Sequence, residues 1–377
     1  MIPSQRHLFD IPDDIAYFNC AYMGPLTKTA RAAGHGGIDR KSLPWTVAPS
    51  DFFTESEQAR SLFATLVGTA ADNIAIIPSA SYGLAIAARN LPLEAGEKIL
   101  LIEDQFPSNV YCWQERAKEC GAEIVTVSTP ADRDWTSAVL NALDERVAIA
   151  ALPHIHWTDG ARLDLEAIGA KLRSNGGKLV LDVTQSLGAL PLDLEKVRPD
   201  FLIAAAYKWL LGPYSVGFLY VAPAHQDGDP LEYNWLNRKG SEDFAGLVDY
   251  VDVYQQGARR YDMGERANFA LMPVAVAALE QILDWGVADI QETLTQKTRD
   301  IAARCAGLGL TSLPDDMRAG HFLGLRRDGG LPKDLLDRLR SENILVSVRG
   351  SSMRITPHLF NNEADSDRLL AALENIL

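Results

Sequence analysis

Short runs of consecutive apolar residues, each closed by a charge, a glycine or a proline, recur through the first part of the chain. Ile74 to Ile77 before Pro78, Ile99 to Ile102 before Glu103, Ala148 to Leu152 before Pro153, Leu179 to Leu181 before Asp182, and Phe201 to Ala206 are all of strand length. A run that is apolar at every position has no polar face, which fits a strand buried on both sides, as in a parallel sheet. Apolar residues recur at helical spacing from Asp51 to Val67. Strands then alternate with helices of about 12 to 15 residues between positions 70 and 220. This alternation predicts an α/β fold, a mostly parallel sheet with helices on both faces. No GxGxxG stands between a strand and a helix, which argues against a dinucleotide-binding version of that pattern.

Beyond Tyr220 the pattern changes. A polar stretch opens at Gln226 and runs to Asn268, with the composition of a long functional or interface loop. A helix carrying Leu271, Val274, Ala275, Ala278 and Ile282 then leads to helices near 287–307, 332–342 and 364–376, alternating with short strands near 321–326 and 344–348. That is a smaller α+β C-terminal domain. The division predicted is 1–20 as an N-terminal segment packing with the small domain, 21–260 as the large domain, and 261–377 as the small one.

Composition narrows the partners. A net charge of −14 over 377 residues argues against nucleic acid and against an anionic membrane surface, both of which need a basic face. No apolar run approaches spanning length, and Met-Ile-Pro-Ser-Gln-Arg lacks the apolar core of a signal peptide, so a cytoplasmic location is expected. Cys20, Cys112, Cys120 and Cys305 show no metal-binding or redox spacing and read as free thiols. His154 and His156 stand two apart with no third ligand at metal-site spacing, and no metal is expected.

Two charges stand out because each ends an apolar run. Asp182 and Lys208 are either ordinary strand-end charges in solvent or groups placed where α/β sheets bind ligands. Ser79-Ala80-Ser81, between a strand and an alanine-rich helix, is either a plain serine cap or a turn whose free amides suit a phosphate. The arrangement Asp182-x-x-Gln185, followed by Tyr207-Lys208 and a glycine-bearing turn, resembles the fold type I enzymes that use pyridoxal 5'-phosphate (PLP). More narrowly it resembles the class V aminotransferase family, which includes cysteine desulfurases, kynureninases and isopenicillin N epimerase-like proteins.

The resemblance implies roles that spacing alone does not. Lys208 would carry the cofactor as a Schiff base and Asp182 would keep the pyridine nitrogen protonated. Ala80 and Ser81 would hold the phosphate, with Tyr207 reaching it. Phe106 would stack on the ring, although a phenylalanine at a strand end is otherwise core. Gln185 is expected near the cofactor hydroxyl, as is Thr158. The loop His156-Trp157-Thr158 would face the substrate, and Asn19 and Tyr22 would touch it from an N-terminal segment that crosses the active-site mouth. The segment around Gly264 would reach the neighbouring subunit's cofactor phosphate in a homodimer with the active site at its interface. Arg266 and Asn268 are the residues implied there, a solvated basic loop being the equal alternative. Arg354 would bind the carboxylate of a small amino-acid substrate, a planar guanidinium matching its two oxygens. The alternative is that it pairs with a surface acid.

The sequence departs from the desulfurase pattern, since Ser347 to Met353 contains no cysteine and persulfide chemistry on that loop is not expected. Aminotransfer, β-elimination or carbon–sulfur cleavage, and racemisation or epimerisation remain. Aminotransfer stands first because it needs only the lysine and a carboxylate clamp. A non-catalytic PLP-binding protein is the alternative from another class.

Overall fold

The computed structural model describes residues 1–377. Seven strands form the central sheet, in spatial order Ile74–Ile77, Gly217–Val221, Phe201–Ala205, Lys178–Asp182, Val147–Pro153, Lys98–Ile102 and Glu123–Val127. All pairs are parallel except the two made by Gly217–Val221, which runs against both neighbours.

The period of two explains why the strands read as unbroken apolar runs. Ile74, Ile76, Leu100, Leu179, Leu181, Leu202 and Phe218 enter one core. Their chain neighbours Ala75, Ile77, Ile99, Leu101, Val180, Ile203 and Leu219 enter another on the opposite face. Helices Thr54–Val67, Trp135–Ala142, Leu165–Ser174 and Met272–Trp285 cover the first face, and Ala80–Asn90 with Ser108–Cys120 cover the second. Both faces are dry, so both sets must be apolar. Glu123–Val127, like Gly217–Val221, is a strand that patterning did not single out. It lies at the sheet edge with Glu123 and Thr126 in solvent, so it never forms a continuous apolar run.

The helix Met272–Trp285 packs against the large sheet's core through Met272, Ala275, Val276 and Leu279. The change of layer therefore comes after Trp285, where the sequence pattern drew it at residue 261. Beyond it lies a four-stranded antiparallel sheet in the order Ser347–Arg349, Ser352–Ile355, Leu323–Arg327, Leu310–Ser312. The expected strand near 344–348 is two strands in two sheets. Ile344–Leu345 pairs in parallel with Ala16–Tyr17, and Ser347–Arg349 belongs to the hairpin. That pairing brings the N-terminal segment onto the small domain, where Ala16 and Phe18 share a core with Ile301, Leu369 and Leu373. No helix is long and apolar enough to cross a membrane.

Candidate active site

Four of the parallel strands deliver their carboxyl ends to one place. Just past Ile102 come Gln105 and Phe106, past Pro153 comes Trp157, at the end of Lys178–Asp182 come Asp182, Thr184 and Gln185, and past Ala205 come Tyr207 and Lys208. They line a cavity of about 260 Å³ closed on one side by Ser79, Ala80 and Ser81. A second cavity of about 330 Å³ adjoins it, sharing Phe106, Trp157, Gln185, Tyr207, Lys208 and Tyr214 and adding Tyr22, Arg349 and Arg354. Lys208 therefore stands at the junction of the two.

Lys208 is buried, with its amine 5.4 Å from the Phe106 ring centre and 5.5 Å from that of Tyr207. Burial pushes its pKa down to about 8, Asp182 opposing the shift and Arg354 and Arg349 adding to it. A lysine so placed can lose and regain a proton near neutrality. Asp182 is buried as well. Desolvation raises its pKa, while the Thr184 amide, which donates to Oδ1 at 3.0 Å, and the charge of Lys208 favour the anion. The helix Ala80–Asn90 begins at the cavity wall, and Ser79 Oγ accepts from the Tyr82 amide at 3.2 Å. The first-turn amides of Ala80 and Ser81 precede any intrahelical acceptor and are free to hold an anion.

The N-terminal segment lies directly over the lysine. The Gly24 amide donates to the Tyr207 carbonyl at 2.8 Å, and a Cβ on Gly24 would sit 2.1 Å from the Lys208 carbonyl oxygen, so only glycine allows this approach. Tyr22 and Met23 are thereby carried to the mouth of the second cavity. Asn19 is not a lining residue. Its Oδ1 accepts from Ser347 Oγ at 2.9 Å, and Ser347 Oγ in turn accepts from Arg354 Nε at 2.9 Å. Ser347 faces Arg354 across the hairpin, which is why the contact forms. Asn19 thus positions the arginine that lines the cavity.

In the loop His156-Trp157-Thr158 only Trp157 enters the cavities. Its indole donates to the Asp104 carbonyl at 2.6 Å and its ring meets Phe106 edge-on at 5.5 Å. His156 is buried, stacked on Trp135 at 5.1 Å, with Nδ1 2.7 Å from Thr158 Oγ1 and Nε2 3.0 Å from the Glu103 carbonyl. Both residues brace the loop from behind, which departs from the expectation that they would contact cofactor or substrate. Gln185 lines the cavity, but its carboxamide is bound at both ends, donating to the Ala21 carbonyl at 3.0 Å and accepting from Trp209 Nε1 at 3.2 Å.

Arg266 and Asn268 stand apart from the cavities. Arg266 is wholly buried, donating to the Leu236 carbonyl and to Asn237 Oδ1, with Nε 3.3 Å from Asp262. Asp262 is also fully buried and gripped by Arg60 at 2.7 Å, and a buried carboxylate of this kind draws the neighbouring cations inward. Asn268 is exposed, but its Oδ1 accepts from the Ala270 and Leu271 amides in the turn that leads into the following helix.

Sequence reasoning missed Tyr214, Ser215, Thr184 and Asn109, which also line the first cavity. Tyr214 and Ser215 follow a turn containing Leu211 at φ 51°, and Ser215 itself has φ 66°. Nothing in their residue types announces that backbone path.

The chemistry of the donor set matches PLP. A buried amine, a buried carboxylate and a helix start correspond to the cofactor's aldehyde, ring nitrogen and phosphate, and the flat faces of Phe106 and Trp157 border the space between. Comparison with known proteins agrees. The chain is 27% identical over 327 residues to an uncharacterized aminotransferase, YcbU, of Bacillus subtilis, covering 82% of this chain and 81% of that one. It is 26% identical to isopenicillin N epimerase of Streptomyces clavuligerus, covering 84% and 83%. Among solved structures, a lysine-to-alanine mutant of C-DES with glycine covalently linked to its PLP cofactor superposes with a TM-score of 0.88 at 20% identity, covering 99% of this chain and 100% of that one. Cysteine desulfurase from Thermococcus onnurineus superposes at 0.85 with 17% identity, covering 100% and 98%. Residues 47–363 match the family described as aminotransferase class-V, and the chain belongs to that family of PLP-dependent enzymes with the fold type I architecture.

Proposed function

We propose that the enzyme is an aminotransferase that acts at the Cα of a small amino acid, with Lys208 as the lysine that carries the cofactor and moves the proton. The observation that carries this reading is the inventory of the two cavities. They contain one amine, Lys208, and one carboxylate, Asp182, with no imidazole and no thiol. Transamination asks for a single base that takes a proton from one carbon and returns it to another. Two-base epimerisation asks for a second base as well, and besides Lys208 and Asp182 the cavities offer as titratable groups only phenols and guanidiniums, with burial pushing Tyr207 up to about 12 and so away from the basic form. Cys20, the thiol nearest the lysine, is buried against the Lys208 carbonyl with its pKa raised by desolvation, so it is no sulfur acceptor.

PLP supplies the electron sink that lets a bond at Cα break. Asp182 would hold the ring nitrogen as a cation through a charge-assisted hydrogen bond. The Ala80 and Ser81 amides would hold the phosphate, and Phe106 would border the ring. Arg354 fixes the substrate carboxylate, with Nε and Nη1 already anchored on Ser347 and the Trp157 carbonyl. Lys208, its pKa brought to about 8, exchanges the Cα proton.

A homodimer is part of the proposal. The loop between Gln226 and Asn268 leaves Tyr250 97% and Val248 79% exposed, with Tyr233 and Val253 also outside, an apolar surface that suits burial against a second copy. The deciding experiment incubates holoenzyme with a panel of amino acids and an added 2-oxo acid. Expected is a new 2-oxo acid appearing in step with a new amino acid. Release of ammonia or sulfide, or inversion at Cα, without amino-group exchange would replace the aminotransferase reading with a lyase or an epimerase.

A further inference from the structure

Arg349 and Arg354 stand on the same face of one hairpin. The register pairs Ser347 with Arg354, Val348 with Met353 and Arg349 with Ser352. Side chains alternate along a strand and agree across a pair, so Ser347, Arg349, Ser352 and Arg354 face one way, and Met353 faces the small-domain core. The hairpin closes through Gly350 at φ 54°, a left-handed value that favours glycine, and this sets the register. Both guanidiniums end beside the same indole, 5.7 Å for Arg349 and 5.8 Å for Arg354 from the Trp157 ring centre.

Neither has an acid to neutralise it. Arg354 donates to Ser347 Oγ and the Trp157 carbonyl, and Arg349 donates to the Val348 carbonyl at 2.8 Å, all neutral acceptors. No carboxylate lines the second cavity. This happens in a chain with 50 acidic residues against 36 basic ones, where buried arginines such as Arg60 and Arg318 are paired. The two charges work against each other. Arg354 has its pKa depressed to about 9, first by burial and then by Arg349. A buried cation with a half-buried one beside it and no acid between them calls for more anion than one carboxylate brings.

We infer that the substrate is an amino acid whose side chain ends in a second acid, with the α-carboxylate on Arg354 and the side-chain acid on Arg349. The order follows from geometry: Arg354 is buried and anchored on Ser347 Oγ and the Trp157 carbonyl, whereas Arg349 is half-buried beside the Gly350 turn, farther toward the outside. Arg349 is then the specificity-determining residue. The inference rests on the aminotransferase reading for the identity of the reacting carbon, but the charge requirement is independent of which bond breaks.

The test measures binding as well as turnover. Succinate and butyrate have the same chain length and differ in one carboxylate, and neither carries an amine to react. By calorimetry on full-length holoenzyme, succinate should bind at least about ten-fold more tightly than butyrate, the increment expected for one charge-assisted contact. Arg349→Gln should lower the succinate affinity about ten-fold and close most of that gap, while Arg349→Lys restores part of it. In turnover, acidic amino acids should exceed neutral ones of equal length in kcat/KM by a similar factor. Equal affinities for succinate and butyrate in the unaltered enzyme overturn the inference. So does a variant in which Arg349→Gln weakens both ligands equally, since the two arginines then share a single carboxylate. Loss of amino-group exchange with the succinate preference intact would instead defeat the aminotransferase reading and leave this inference standing.

Discussion

Three buried histidines, two of them packed on Trp209 beside Lys208, should make the enzyme acid-sensitive. His154, His321 and His358 are buried, and desolvation pushes their imidazoles down to about 3, about 4 and about 3. His321 donates Nε2 to the Gln185 carbonyl at 2.8 Å and meets Trp209 edge-on at 4.3 Å, while neither ring nitrogen of His358 has a partner. Arg162 faces His154, and Lys297 together with His321 faces His358, so each proton would arrive beside existing or developing positive charge. Their folded-state values lie below the roughly 6.5 of an unfolded chain, so protons bind the unfolded state first as the pH drops. Stability is therefore complete above that value and is lost as pH falls through it. At pH 5 the difference is roughly 1.5 pH units, about 2 kcal/mol for each histidine and about 6 kcal/mol for three. This holds wherever the folded values lie below 5, so it does not depend on their exact position. The loss is comparable to the whole stability of an ordinary domain, about 5–15 kcal/mol. Urea titrations at pH 7, 6 and 5, followed by circular dichroism with saturating cofactor, should show the midpoint collapsing between 6 and 5. His358→Phe fills similar space without a titrating group and should recover about 2 kcal/mol of that loss. An unchanged pH slope in this variant, or a total loss in the unaltered enzyme below about 2 kcal/mol, would refute the reasoning.

Other expectations concern the cavities. Lys208→Ala should abolish the covalent link trapped by borohydride and lower turnover by at least about a thousand-fold, since general acid–base work alone contributes up to about 10⁴-fold; trapping on a different lysine would displace Lys208 from its role. Asp182→Ala should still bind cofactor but slow turnover by orders of magnitude, and an undiminished rate would remove the electrostatic argument for a protonated ring. Ser347→Ala takes away the acceptor that orients Arg354 Nε, a bond to a charged group worth about 1.5–3 kcal/mol, so KM should rise at least about ten-fold with kcat little changed; a fall in kcat at constant KM would place Ser347 in the chemical step instead. Arg354→Lys should weaken substrate binding while leaving the cofactor spectrum normal, and unchanged affinity would take the α-carboxylate away from this residue.

Much of this molecule could be read before its coordinates. Unbroken apolar runs identify strands buried on two faces because each face of the sheet has its own dry core, and the residue that ends each run falls at the sheet's carboxyl edge. Asp182 and Lys208 stood out for that reason, whereas Tyr207, Ala80, Ser81 and Phe106 were named only by the family resemblance; all six line the first cavity. Arg354 and Trp157 also lie where the family resemblance put them, in the lining of the cavities. What the chain did not disclose depends on contacts between distant segments. The Glu123–Val127 strand has solvent on one side, so its pattern is mixed. Asn19, His156 and Thr158 occupy the right loops, yet whether a side chain on a loop points into a cavity or braces its wall is decided by what packs behind it, here Ser347 for Asn19 and Trp135 for His156. Arg266 read equally as a residue reaching the neighbouring subunit's cofactor phosphate and as part of a solvated basic loop. Its destination was set by Asp262, a carboxylate whose burial could be known only once Arg60, 202 positions away in the chain, had closed over it. Local pattern is short-ranged because it reports only which face of an element must be dry. Side-chain direction is a long-range property, since it is settled by whichever partner the fold brings to meet it.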